Sequence, residues 1–212
     1  MKIRVAMAGG SSARWLARQR TDPFRRAGSG YRSRAAHKLL WCQNKHKLIK
    51  PGAAVLDLGA APGSWTQVAL DCGAGKVVAV DINAFNPARG AIALRLDLLA
   101  QPPDALAEQL RAAIGGRGFD VVLSDTAPAT TGNRQVDHAR SMELSAAALR
   151  IAASGALKRG GNCYVKLFQG GDSELLRAAA KTKFRSAQWV KPAGSRSESK
   201  EIFLFAQGFT TS

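Results

Sequence analysis

Between Ala53 and Gln67 the chain passes from strand-like to turn-like to helix-like sequence. The apolar run Ala53-Ala54-Val55-Leu56-Asp57-Leu58 follows Pro51-Gly52 and stops at Gly59. A run of that length between turn residues predicts a buried strand. Gly59-Ala60-Ala61-Pro62-Gly63 then forms a tight turn, whose two glycines let the backbone bend sharply and approach a ligand closely. Pro62 fixes part of that turn, and Ser64 is placed to cap a helix running through Trp65 and Gln67. Open α/β sheets bind nucleotides at such a corner of strand end, glycine turn and helix N-terminus. The glycines fit neither G-x-x-x-x-G-K-[ST] nor G-x-G-x-x-G. Asp81 sharpens the signal. It closes the next apolar run, Lys76-Val77-Val78-Ala79-Val80, where an acid suits a ribose diol.

The remaining pattern predicts a sheet built around that corner. Ser33 is placed to cap a helix carrying Ala36, Leu39 and Leu40. Further strands are expected at Ile92–Leu96, Phe119–Leu123, Cys163–Phe168, Ala187–Val190 and Ile202–Ala206. Helices are expected at Ala105–Ile114, Asp137–Ala153 and Ser173–Lys181, and Gly160-Gly161 is read as leading into the fifth strand. Strands alternating with helices imply a doubly wound, mostly parallel sheet covered on both faces. The expectation is one α/β domain over residues 31–212, with about seven strands. A basic arm, residues 1–30, precedes it.

Charge narrows the partners. The formal net charge is +16, and 13 basic residues against the single acid Asp22 fall before residue 51. Such an arm on a nearly balanced domain is the footprint of a polyanion, and RNA, DNA or an anionic membrane all satisfy it. No apolar run is long enough to span a bilayer. Cys42, Cys72 and Cys163 form no C-x-x-C pair, and His37, His46 and His138 have no ligand spacing with them, so neither metal nor disulfides are expected. Reduced cysteines and the lack of a secretory signal fit a bacterial cytoplasm. The acid-free first 21 residues keep a mitochondrial matrix as the alternative.

In open parallel sheets, ligands sit at the carboxyl ends of the strands. There the sequence places Gly59–Gly63, Asp81, Asp97, Asp125 and Lys166. Lys166 interrupts the apolar run Tyr164-Val165-Lys166-Leu167-Phe168, and a lysine buried there needs a partner or a cavity. The alternative is an alternating strand with Lys166 in solvent. Lys38 on the first helix and Glu201 at the start of the last strand complete the candidates.

Several motifs occur in one order: Arg32-Ser33-Arg34-Ala35-Ala36-His37-Lys38-Leu39, Asp57-Leu58-Gly59-Ala60-Ala61-Pro62-Gly63, Ser124-Asp125-Thr126-Ala127-Pro128 with Thr131-Gly132 and Asp137-His138, Val165-Lys166-Leu167-Phe168, and Lys191-Pro192 through Ser195-Arg196 to Glu201. The turn and Asp81 resemble motifs of class I, Rossmann-like S-adenosylmethionine-dependent methyltransferases. The whole set resembles the FtsJ-like (RrmJ-type) ribosomal RNA 2′-O-ribose methyltransferases, from about Ser12 onward.

That resemblance implies an antiparallel last strand and a catalytic tetrad of Lys38, Asp125, Lys166 and Glu201. It implies S-adenosyl-L-methionine as cofactor, held by Gly59, Ala60, Pro62, Gly63, Ser64, Trp65, Asp81, Asp97 and Asp125. Arg32, Arg34, Lys191 and Arg196 are the expected RNA contacts. The implied substrate is a uridine of large-subunit ribosomal RNA, in the peptidyl-transferase A loop and within the large ribosomal subunit, methylated by a monomer. His37 departs from the family, where phenylalanine precedes the lysine, and Glu198 competes with Glu201 as the fourth member. Transfer of an activated methyl to a ribose hydroxyl needs alignment and a destination for a weakly acidic proton. Lys166 serves that chemistry either as a base or as a positioning cation. Base N-methylation is disfavoured because no aromatic follows Asp125 in Asp125-Thr126-Ala127-Pro128. Cytosine C5-methylation is disfavoured because no cysteine lies between Ser124 and Gly132. A catalytically weak RNA-binding assembly factor and a transfer-RNA 2′-O-methyltransferase remain as alternatives.

Overall fold

The computed structural model describes residues 30–192 and 200–210. Expectations resting on the earlier arm, on Arg196 and on Glu198 lie outside these residues. The described elements are α1 (Ala36–His46), β1 (Ala54–Leu58), α2 (Ser64–Asp71), β2 (Lys76–Asp81), β3 (Ala91–Arg95), α3 (Pro103–Ala112), β4 (Phe119–Ser124), α4 (Arg134–Ile151), β5 (Leu157–Phe168), α5 (Ser173–Lys181), β6 (Phe184–Val190) and β7 (Glu201–Phe209). No described helix is long and apolar enough to cross a membrane.

The seven strands form one sheet in the order β3-β2-β1-β4-β5-β7-β6. Strands β1 to β5 pair in parallel, and β7 runs antiparallel to both its neighbours. This is the expected doubly wound, mostly parallel sheet with its last strand reversed. The chain leaves β1 towards β2 and β3 on one side, then returns to β4 on the other. The crevice between the ends of β1 and β4 is therefore the switch point where such sheets take ligands.

Alternation along the strands builds two cores. Leu56, Leu58, Val122, Val165 and Leu204 pack under α3, α4 and α5. Val55, Val121, Leu123, Tyr164, Phe203 and Phe205 pack on the opposite face against Leu39 of α1 and Trp65 and Val68 of α2. Lys166 lies opposite Phe203 in the β5–β7 ladder, and Phe168 lies opposite Glu201. Directly opposed residues share a face. Lys166 and Glu201 therefore stand on the α1–α2 side, at the ligand-binding end of the sheet.

Several local expectations shift. β5 spans 12 residues and contains Gly160-Gly161, with a register irregularity against β4 between Phe119 and Val121. Helix α4 starts earlier, because the Asn133 side chain caps it by accepting from Gln135 N at 3.0 Å and Val136 N at 3.3 Å. Of the two expected serine caps, Ser33 Oγ accepts from Ala35 N at 3.3 Å in the turn that precedes α1, and Ser64 forms none. Helix α1 begins after Ala35 and α2 after Gly63, both without side-chain caps. The hydroxyls of Ser33 and Ser64 bond each other instead, at 2.8 Å in a buried contact that ties the two helix starts together.

Candidate active site

The glycine turn is pinned from three sides. Gly59 N and Ala60 N both donate to Val80 O, at 2.8 and 3.0 Å. Ala61 N donates to Asp81 Oδ2 at 3.0 Å, while Asp81 Oδ1 accepts from Asn83 N at 2.8 Å and Asn83 Nδ2 at 3.1 Å. Asp125 N donates to Leu58 O at 3.1 Å, joining the ends of β1 and β4. Gly59 has φ 74° and Gly63 φ 105°, both left-handed. A Cβ on Gly59 would lie 2.8 Å from Thr126 Cγ2, so both conformation and space demand glycine there.

Arg32 closes the turn from outside. Its guanidinium donates to Pro62 O at 2.8 Å, to Asn86 O, and to Pro87 O at 3.2 Å, and its own N–H donates to Gln67 Oε1 at 2.9 Å. The fork of this arginine, an expected RNA contact, donates to three main-chain carbonyls. It clamps the glycine turn to the loop after β2. Arg32→Ala is expected to weaken ligand binding at the turn about tenfold, from the loss of charge-assisted bonds each worth roughly 1.5–3 kcal/mol and shared between loop order and binding. Calorimetry with a donor analogue checks this, and unchanged affinity would make the clamp irrelevant to the pocket.

A cavity of about 170 Å³ lies between this turn and the end of β4, lined by Gly59, Ala60, Pro62, Ser64, Trp65, Asp125 and Lys166 among others. Two ion pairs stand at this end of the sheet. Lys166 Nζ lies 2.8 Å from Asp125 Oδ1 and donates to Asp125 O at 2.8 Å, although Lys166 itself is only 6% exposed. The alternative of a solvated Lys166 is thereby excluded. Lys38 Nζ pairs with Glu201 Oε1 across 163 positions of sequence, and it sits 5.8 Å from the centre of the Phe203 ring. Both pairs are largely shielded from water, so each attraction is stronger than at a surface.

An aromatic stack lies beneath them. Tyr164 stacks on Phe203 at 4.7 Å and on Trp65 at 5.5 Å between ring centres. Trp65 is buried and donates from Nε1 to Ala35 O at 2.8 Å, so it serves the core as well as the cavity wall. Burial pushes the Tyr164 phenol far above its usual range, and the neighbouring Cys42, Asp125 and Glu201 raise it further.

Asp57, part of the turn motif but not among the expected ligands, is fully buried below the glycines. Burial pushes its carboxyl up to about 7, against the opposing hydrogen bond from Thr66, and Asp125 and Asp81 add repulsion. Thr66 Oγ1 donates to Asp57 Oδ2 at 2.6 Å, while Oδ1 has no partner. The signal for this group was an acid inside an otherwise apolar strand.

The other expected residues lie further out. Asp97, on the loop after β3, is exposed and accepts from Leu99 N at 2.9 Å. Arg34, His37 and Lys191 are also exposed. Among the described residues no three His, Cys, Asp or Glu side chains group as a metal site.

A doubly wound seven-stranded sheet with its last strand reversed, a glycine turn at the switch point and acids closing β2 and β4 is the class I methyltransferase architecture. Within that class, residues 31–209 match the model of the FtsJ-like methyltransferases, and the chain belongs to that family. The ribosomal RNA large subunit methyltransferase E of Granulibacter bethesdensis is 44% identical over 94% of this chain and 85% of its own. The protein of the same name from Maricaulis maris is 46% identical over 94% of this chain and 70% of its own. Among solved structures, a Plasmodium falciparum protein described as a ribosomal RNA methyltransferase superposes with a TM-score of 0.76 at 27% identity, covering 86% of this chain and all of that one.

Proposed function

We propose that this chain transfers the methyl group of S-adenosyl-L-methionine to the ribose 2′-hydroxyl of a uridine in large-subunit ribosomal RNA. The observation that carries this reading is the buried Lys166–Asp125 pair in the wall of the cavity beside the glycine turn. The names of the relatives support the ribosomal RNA substrate.

The residues suit the donor. A carboxylate has about four lone-pair sites. Asp81 uses three of them on Ala61 and Asn83, which leaves capacity for a diol at the open edge. Asp97 stands exposed beside it, and Asp125, its charge offset by Lys166, borders the cavity. The 170 Å³ cavity is below the usual range of about 300–1,000 Å³ for small-molecule pockets. It takes the reacting end, and the nucleoside lies along the edge marked by Asp81 and Asp97. Gly59, Ala60, Pro62, Gly63, Ser64 and Trp65 shape the wall.

The donor supplies an electrophilic methyl group on a sulfonium. The protein aligns the hydroxyl with it and manages the proton. Lys166 holds the reacting oxygen, and Asp125 fixes Lys166 through both its carboxylate and its carbonyl. Lys38 and Glu201 position the ribose and its neighbouring phosphate. The stack of Trp65, Tyr164 and Phe203 keeps water from below. Arg34, Lys191, Arg196 and the basic arm, residues 1–30, carry phosphate contacts, and binding falls steeply with salt as counterions are released. The protein acts as a monomer in a bacterial cytoplasm, with residues 31–212 as its methyltransferase domain.

The test is incubation with labelled donor and separate pools of transfer RNA, naked ribosomal RNA and large ribosomal subunits. Alkali-resistant linkages then mark 2′-O-methylated riboses. Label at a uridine of large-subunit RNA is expected. Label in the base, or in transfer RNA alone, would overturn the reading. Donor binding with no label in any pool would make the protein an assembly factor.

A further inference from the structure

A second cavity, about 420 Å³, opens beside the tetrad and is separate from the donor site. It lies between the start of α4, the loop after β5 and the start of β7, and Glu201 belongs to its wall. Phe168 contributes a half-buried aromatic side chain, on the same face as Lys166 and Glu201. Arg134 and Lys200 are exposed residues of its lining, and among the described residues neither forms an ion pair.

Arg134 is a cation where the helix does not want one. It is the first residue of an 18-residue helix already capped by Asn133. Helix N-termini carry partial positive charge, so an arginine there opposes the dipole and lowers stability. An anion between Arg134 and the helix start reverses that sign. The wall behind is preformed. His138 Nδ1 donates to Phe168 O at 2.8 Å, fixing the tautomer. Gly170 approaches the same imidazole so closely that a Cβ would lie 2.5 Å from it. Gln169 N donates to Lys200 O at 2.7 Å, joining this loop to the start of β7. Residues 168–170 are thus held from two sides before any ligand arrives.

An aromatic face, the cations Arg134 and Lys200 and a helix N-terminus around one preformed cavity, whose Asp137 carboxylate is already taken by Thr131 and Gly132, suit one nucleotide of a single strand. Bases stack on aromatic rings, and phosphates seek arginine and lysine. Glu201 borders both the tetrad and the cavity, so a strand delivering a ribose to the tetrad brings its adjoining nucleotide to the cavity. We propose that this cavity binds the RNA nucleotide next to the methylated one, with its base against Phe168 and its phosphate between Arg134 and Lys200. The assignment rests on the RNA 2′-O-methyltransferase reading above.

The experiment measures methyl transfer against RNA concentration over a salt series, for the wild-type chain, Arg134→Ala with Lys200→Ala, and Phe168→Leu. For the double variant, KM for RNA is expected to rise about tenfold or more, with kcat and donor affinity within about twofold. Its log–log salt slope should fall by roughly 0.7–1, for the one phosphate no longer neutralised. Thermal melting should hold or rise, because Arg134 opposes its helix. An abasic nucleotide beside the target should raise KM about tenfold for the wild type and leave it nearly unchanged for Phe168→Leu. A double variant with wild-type KM and salt slope, or a wild type indifferent to abasic neighbours on both sides, would overturn the subsite alone. A wild type that binds donor and methylates no RNA would overturn both the subsite and the reading beneath it.

Discussion

Lys166→Ala is expected to lower methyl transfer by about 10²–10⁴-fold, the usual contribution of a positioned acid–base group, while donor affinity stays within about twofold. On the proposed function the lysine acts on the reacting hydroxyl, so its loss is expected in the rate and not in ground-state binding. Its ammonium is buried against Asp125, and removing it leaves that carboxylate without its cation in the cavity wall. Breaking a shielded pair costs roughly 3–5 kcal/mol, so the melting temperature of the variant must be read beside its rate. Lys166→Arg then separates two roles. Arginine keeps the charge but cannot yield a proton at ordinary pH. A folded, donor-binding and inactive arginine variant makes Lys166 the base. A largely active one makes it a positioning cation with water as the proton's destination. Substantial activity in folded Lys166→Ala would remove the residue from the chemistry and leave Asp125 as the remaining acceptor.

The second large effect concerns stability. Asp57 has its carboxyl pushed up from 3.8 to about 7, chiefly by burial, with Asp125 and Asp81 adding to the shift. In the unfolded chain the group titrates near the ordinary value. Below pH 4 both states hold the proton, and above pH 7 neither does. Between these limits the folded state holds a proton that the unfolded state has released, so this group's contribution to stability is lost as pH rises through the window. The expected loss is on the order of 1–4 kcal/mol, from a shift of about three pH units as an upper bound. Asp57→Asn stays neutral and still offers Thr66 an oxygen. Its stability should therefore lose the slope between pH 4 and 7 that the wild-type protein shows. Denaturant titrations of both proteins at several pH values measure the difference. Parallel curves would mean that Asp57 ionises in the fold without penalty, through the orphaned Oδ1 finding a partner.

Much of the sheet could be read from local pattern, because a buried strand must be apolar and a sharp turn must be glycine. The run from Val55 to Gly63 is strand and turn, as expected, and Lys166 is buried, the first of the two readings its apolar neighbours allowed. What escaped the sequence was decided by bonds between distant positions. Ser33 and Ser64 each carry the local signature of a cap, yet they lie 31 positions apart and bond each other. Arg32 sits in a basic stretch, which suggested phosphate, but its fork meets three carbonyls more than 29 positions away. Helix α4 starts at Arg134 and not at Asp137, because Asn133 caps it while Asp137 accepts from Thr131 and Gly132. Gly160-Gly161 suggested a turn before β5, whereas a register irregularity against β4 lets the strand absorb both glycines.

The reversed strand sets when the Lys38–Glu201 ion pair can form during synthesis. Parallel strands bring their last residues to the working edge of the sheet, but β7 brings its first, and that residue is Glu201. β7 also lies between β5 and β6, so a nascent chain that has released every earlier element still has a gap in its sheet. At that stage the glycine turn, Asp125 and Lys166 have all been made, while Lys38 still waits for a carboxylate 163 positions downstream. Domains generally fold as units. The pairing of Lys38 with Glu201 therefore closes only once β7 has been released and has entered the sheet between β5 and β6.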